Sequence, residues 1–260
     1  MTSKVYLGWT RTCYTKTYFF VQRFVIQLVQ NYRSSHQLLE VPNKLFYDNT
    51  LVACAENEDI LRRCIQFLPN KDYPIIFHQA YGDKFKPPEL EDSISLRNHD
   101  EVNIVMKYVN CLIGESKFCK SDIGIISPYR GQVDSIKQRL VKTGLNKPDR
   151  LGKLKSVNDK DRIMVGTVDI FQGEEKKIII LTTVRSLKFT QSLGFLDSRH
   201  HGHQRFNVAV TRAKCLLIVV GDARLLQKDK NWKALIKLCQ NNASFLERWS
   251  TLKIWTMHAK

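Results

Sequence analysis

The chain has 260 residues, 43% of them hydrophobic and 10% aromatic, which is enough to bury a core and excludes a disordered or fibrous protein. Lysine and arginine outnumber the acids 41 to 25, so the formal net charge is 41 − 25 = +16. That excess makes a polyanion the leading partner, because a basic face gains affinity by releasing counterions from phosphates; a generally basic surface is the plainer reading.

In chain order, the first residues lack the apolar core and small-residue cleavage site of a signal peptide. The apolar run at 18–29 is broken by Gln22, Arg23 and Gln27, too short and too polar to span a bilayer, so no membrane partner is expected. Strands are predicted at 51–55, 75–78, 123–127, 163–167, 178–184 and 216–220, most of them apolar throughout, as strands are when helices cover both faces of a parallel sheet. Between them, Asn98 caps a helix with Glu101 three residues on and a stripe of Val102, Val105, Met106, Val109 and Ile113. A second helix follows Gly131 with Val133, Ile136 and Leu140 on one face, and a third carries Trp232, Leu235, Ile236 and Cys239. The alternation predicts one α/β domain with a central, mostly parallel sheet flanked by helices.

Residues 82–92 and 144–162 read as loops. The second is strongly basic, with Lys147, Arg150, Lys153, Lys155, Lys160 and Arg162, and reads either as a solvated loop or as a nucleic-acid contact. The seven cysteines form no C-x-x-C pair and read as reduced thiols of a cytosolic or nuclear protein. His200, His201 and His203 have no fourth ligand in view, so they read as a surface loop and no metal site is expected. No G-x-x-x-x-G-K-[ST] phosphate loop, G-x-S-x-G elbow or H-E-x-x-H helix occurs, nor a pair of acids closing an apolar strand.

Three segments carry candidate chemistry: D-I-G-I-I-S-P-Y-R-G-Q at 122–132, M-V-G-T-V-D-I-F-Q-G-E-E at 164–175, and R-F-N-V-A-V-T-R-A-K at 205–214. In each, an apolar strand is expected to end in a turn dense in Arg, Thr, Tyr, Gln or Gly, and the three turns are expected to converge on one edge of the sheet, where open α/β sheets bind ligands. Tyr129 either stacks on a base or closes the core. Thr167 offers a hydroxyl and an amide to a backbone phosphate, Gly173 allows close approach of a ligand, and Glu175 is placed to accept from a ribose.

The order and spacing of these segments resemble motifs IV, V and VI of superfamily 1 helicases. L-V-Q-N-Y-R-S-S-H at 28–36 resembles the element that opens their second motor domain. Within that superfamily the chain looks like the up-frameshift branch, and more narrowly the Armitage-type RNA helicases, on N-Y-R-S-S-H at 31–36, L-E-V-P-N-K-L-F-Y-D-N at 39–49 and Y-P-I-I-F-H at 73–78. The resemblance covers 26 to about 242 and implies a RecA-like domain of the P-loop NTPase type, the second of two that clasp ATP between them. It implies that Arg33 and Arg212 reach the γ-phosphate as charge-stabilising groups and that Tyr32 lies near the adenine and Glu175 near the ribose. Gln172 and Gly173 would couple the nucleotide to the strand, and Pro128, Tyr129 and Thr167 would lie along single-stranded RNA.

Magnesium is expected only with the first RecA-like domain, the partner in cis, whose phosphate loop is not in this sequence. The expected division is therefore an N-terminal segment at 1–25 outside the resemblance, the RecA-like domain at 26–245 and a tail at 246–260. A fragment with a misread boundary is the first reading of that N-terminus, and a short isoform the second. The function implied is the second motor domain of a cytoplasmic, ATP-dependent RNA helicase, with a place in small-RNA silencing implied by the Armitage-type likeness. By itself the chain is expected to bind RNA weakly and turn over no ATP. A non-catalytic RNA- or protein-binding remnant is the alternative, and a DNA helicase of the same superfamily a third reading. Ser34-Ser35 departs from the family's usual Ser-His at that place.

Overall fold

A computed structural model describes residues 27–56, 68–81, 85–86, 96–114, 118–147, 162–188, 190–200 and 202–247. Most of the two charged stretches, and with them most of the basic run at 144–162, lie outside the described residues, as do His201 and the side chain of His200.

The centre is a six-stranded sheet whose pairings are all parallel. Ten strands are described: β1 (Gln30–Asn31), β2 (Val52–Ala53), β3 (Ile75–Gln79), β4 (Phe85–Lys86), β5 (Arg97–Asn98), β6 (Ile123–Ile126), β7 (Met164–Gly166), β8 (Lys176–Thr182), β9 (Ala213–Gly221) and β10 (Phe245–Leu246). The main sheet runs β10-β3-β9-β8-β6-β7, while β1 pairs with β2, and β4 with β5, in two small separate ribbons. The predicted strand at 51–55 therefore exists only as β2, outside the main sheet. It is flanked by a helix rather than sandwiched, and Val52 is 54% exposed.

Among the described residues there are six α-helices: α1 (His36–Phe46), α2 (His99–Gly114), α3 (Arg130–Lys142), α4 (Gly202–Val210), α5 (Ala223–Leu226) and α6 (Lys230–Asn241). The sheet is buried on both faces. In β8, Ile178 and Ile180 join the core under α2 and α3, while Ile179 and Leu181 join the core under α1, α4 and α6. Leu216, Ile218 and Val220 of β9 alternate in the same way with Leu217 and Val219. This explains the unbroken apolar runs in the sequence: with helices on each side, neither parity of side chain meets water.

The three expected helices form, the second starting at Arg130 so that Gly131 lies inside its first turn. The Asn98 side-chain oxygen accepts from the backbone N–H of Asp100 (3.1 Å) and Glu101 (3.3 Å), closing the first turn of α2. Asp229 caps α6 by accepting from Asn231 and Trp232. One expectation fails: 205–210 is not a turn but the second half of α4, so only Thr211 and Arg212 link that helix to β9.

Candidate functional site

The three motif segments do not meet at one edge of the sheet. In a parallel sheet every strand enters at one edge and leaves at the other. Pro128, Tyr129 and Thr167 follow β6 and β7, whereas Glu175 and Arg212 immediately precede β8 and β9. The 167–175 stretch crosses from one edge to the other, so the expected single convergence is replaced by two sites separated by the length of a strand, about 20 Å.

At the amino-terminal edge, the pairing of Lys176 with Ala213 sets Glu175 beside Arg212. Arg33 joins them from the far end of the chain. The Asn31 side chain accepts from the N–H of Arg33 (2.9 Å) and Ser34 (3.0 Å), and the Ser34 hydroxyl donates to the Ala213 carbonyl at 2.8 Å. Held by that turn, Arg33 donates its Nε to Glu175 Oε2 (2.6 Å) and its Nη1 to the Thr211 carbonyl (3.3 Å). Lys214 Nζ lies 2.5 Å from the other Glu175 oxygen. Lys214 and then Arg33 hold the Glu175 carboxyl below the usual carboxylate range.

Arg212 donates Nε to the Val208 carbonyl at the end of α4 (3.1 Å), Nη1 to the Glu174 carbonyl (3.3 Å) and Nη2 to the Thr211 hydroxyl (3.1 Å). A cation suits the carbonyl end of a helix. Burial, and after it the nearby Arg33 charge, nevertheless lowers the Arg212 pKa. Three cations thus crowd around one carboxylate, an arrangement an added anion would relieve. Tyr32 stands next to it, 70% exposed, its hydroxyl donating to Gln30 Oε1 at 2.7 Å. Gln172 and Gly173 are exposed in the turn before β8, where Gly173 adopts φ +88° with open space around it.

At the carboxyl-terminal edge a cavity of about 440 Å³ is lined by Pro128, Tyr129, Arg130, Thr167, Arg185 and Phe195, with Leu96 beside them. Of the two readings of Tyr129, the ring takes the second: it is 4% exposed, packs on Phe195 with centroids 5.7 Å apart, and its hydroxyl accepts from Arg185 Nε. Arg185 and Phe195 carry no motif of their own. A lone apolar residue in a connecting loop gives little sequence signal, and Arg185 follows a strand end like many surface arginines. His203 bonds the Ser198 carbonyl (3.0 Å), and among the described residues no group of three His, Cys, Asp or Glu side chains is set to hold a metal.

A family model described as "AAA domain" matches residues 11–224, beginning upstream of the motif resemblance. Mov-10-B.2 of Danio rerio, named as a helicase, is 40% identical over 239 residues, covering 87% of this chain and 22% of that protein. The chain belongs to the up-frameshift-like branch of the superfamily 1 RNA helicases. In this helicase family it also aligns with the RNA helicase armi of Drosophila melanogaster (31% identity, 84% of this chain, 18% of that one). A further relative is the ATP-dependent helicase upf1 of Schizosaccharomyces pombe (32%, 85% and 22%). The chain spans about a fifth of the length of these relatives, whose shares are 22%, 18% and 22%. A solved structure, the C-terminal domain of a DNA helicase from Lactobacillus, overlaps it at a TM-score of 0.45 and 12% identity over 84% of this chain and 98% of that one, too loose a likeness to carry an argument.

Proposed function

We propose that this helicase chain acts as the second motor domain of an ATP-dependent RNA helicase, with ATP at the amino-terminal edge of its sheet and single-stranded RNA at the opposite edge. The observation that carries the reading is the cluster of Arg33, Arg212 and Lys214 around Glu175, drawn together from positions far apart in sequence.

The donor set fits a nucleotide. Arg33 and Arg212 supply planar, permanently charged forks for phosphate oxygens, and the exposed Tyr32 ring offers a face to a base. ATP supplies the phosphoryl group whose transfer spreads negative charge over its oxygens. Arg212 is positioned for that charge by the carbonyls of Val208 and Glu174, and Arg33 by Glu175, so neither guanidinium has to be ordered during the reaction. Glu175 orients Arg33 and Lys214 as it stands; turning toward a ribose hydroxyl would loosen one of them. The first RecA-like domain, in cis, would bring the phosphate loop and magnesium. The Armitage-type likeness supports a cytoplasmic role in small-RNA silencing.

The 260-residue chain alone is expected to bind RNA and turn over no ATP. Joined to a first motor domain that brings a phosphate loop, it is expected to hydrolyse ATP in an RNA-stimulated manner, and Arg212→Ala should lower turnover by about 10³-fold or more. Equal steady-state rates for the joined wild type and Arg212→Ala would sink the reading.

A further inference from the structure

We infer that Phe195 is the base-stacking residue of the carboxyl-edge groove, held in place by Arg185, and that the strand it takes is single-stranded RNA. The inference rests on the reading of that groove as the RNA-facing edge, and it moves the aromatic role from buried Tyr129 to a neighbour that no motif marks.

Phe195 lies 53% exposed at the rim of the cavity, between two leucines, Leu193 and Leu196, that are each 6% exposed and belong to the core. A lone exposed apolar residue is ordinary on any surface. This one is presented by a loop fastened from several sides. Arg185 donates Nε to the Tyr129 hydroxyl and Nη1 to the Ser192 carbonyl (2.9 Å), and the Leu196 carbonyl accepts from Trp232 Nε1 (3.1 Å). Gly194 sits at φ +54°, and a methyl group there would fall 2.6 Å from the Arg185 guanidinium, so the arginine packs directly on the loop backbone. The leucines and Arg185 therefore order the segment while the ring between them faces out. A pre-ordered ring loses little entropy when a ligand lands on it.

The surroundings name the ligand. The Arg205 guanidinium stands 5.3 Å from the Phe195 ring centroid and that of Arg185 5.5 Å from the Tyr129 ring. Arg130 and Thr167 line the same cavity. An aromatic face among arginines, in a cavity of about 440 Å³, matches what a strand needs from a sequence-tolerant groove: cations for phosphates and a π-face for a base. The apolar lining of Leu96, Pro128, Tyr129 and Phe195 is interrupted by Arg130, Thr167 and Arg185, and the two arginine cations favour a phosphate backbone over an uncharged peptide.

The test is fluorescence anisotropy of the 260-residue chain with two labelled strands, a 12-mer of uridylate and a 12-mer of the same sugar–phosphate backbone without bases. Phe195→Ala is expected to weaken the uridylate strand about 5- to 100-fold and to leave the abasic strand unchanged, and Phe195→Trp to restore uridylate binding. Far-UV circular dichroism of the variants confirms that the fold is kept. Equal loss on both strands, or no loss on either while wild type binds, overturns the stacking role alone and leaves the exposed ring to a protein contact. If the wild-type chain binds neither strand, the RNA reading of the groove fails with it.

Discussion

Glu101 has no exposed surface, and its carboxylate faces the turn that follows β8. One oxygen accepts from the Thr182 hydroxyl and from the N–H of Val184 (2.9 Å), while the Asn98 amide reaches the other oxygen (3.4 Å) and the Val184 carbonyl (3.0 Å). Val184 is β-branched and lies at φ +73°, a conformation that costs about 1–3 kcal/mol and persists only where its surroundings impose it. The strained residue immediately precedes Arg185, so the buried network sets the direction of the arginine that fastens the groove. Burial raises the Glu101 pKa to about 8, while burial and then Lys107 lower that of His78 to about 4. The signs oppose. His78 binds its proton less readily folded than unfolded, so its contribution is lost as pH falls from about 6.5 toward 4. Glu101 holds its proton more tightly when folded, so its contribution is present at low pH and lost as pH rises toward about 8. Above about pH 6.5 only the second slope remains, because an ordinary histidine is neutral there. Unfolding free energies from urea titrations are expected to fall from pH 6.5 to 8 in the wild type, by no more than about 1.4 kcal/mol per pH unit. In Glu101→Gln they should be flat; a fall of the same size there would clear Glu101 of the effect.

At the scale of the element, the 167–175 crossing depends on close approach. A Cβ on Gly124 in β6 would come within 2.8 Å of both Ile179 Cδ1 and Phe171 Cε1, and Phe171 is the buried residue on which the crossing turns. Gly124→Ala is therefore expected to destabilise by about 1–3 kcal/mol through overpacking. Gly114→Ala, with nothing within 4 Å of the added methyl, should stay within about 0.5 kcal/mol of wild type. Thermal unfolding of the pair checks this, and equal melting temperatures would show that the crossing tolerates expansion. Legibility also differed by element. The Ile- and Val-rich strands of the main sheet and the Asn98-capped α2 were readable because burial on two faces, or on one stripe, leaves a periodic mark. Helix α1 was not, because Pro42 inside it lacks the N–H a helix interior uses. Burial of Leu38, Leu39 and Val41 carries the helix through. The reach of α4 to Val210 was hidden by the density of polar groups around Arg205 and Arg212.

Across the whole molecule the net charge of +16 supplies sequence-independent attraction for a polyanion, and under the proposed function the groove would decide where a strand lies. Binding of uridylate should weaken linearly on a log–log plot against salt, and Arg130→Ala should reduce the slope by about 0.7 if that guanidinium meets one phosphate. Anisotropy titrations between 50 and 200 mM salt, the span over which such contacts declare themselves, read this directly. A loss of affinity at an unchanged slope would place Arg130 off the backbone. The sequence by itself determined the α/β class, five of the six main-sheet strands (all but β10) and the family, since hydrophobic period and motif order are written along the chain. Only the tertiary structure decided that the motifs divide between two edges of the sheet. It alone brought Arg33 to Glu175 across 142 positions and turned Phe195 rather than Tyr129 outward. Those outcomes depend on strand order and on which side chains compete for the same buried space, and neither is a local property of the residues concerned.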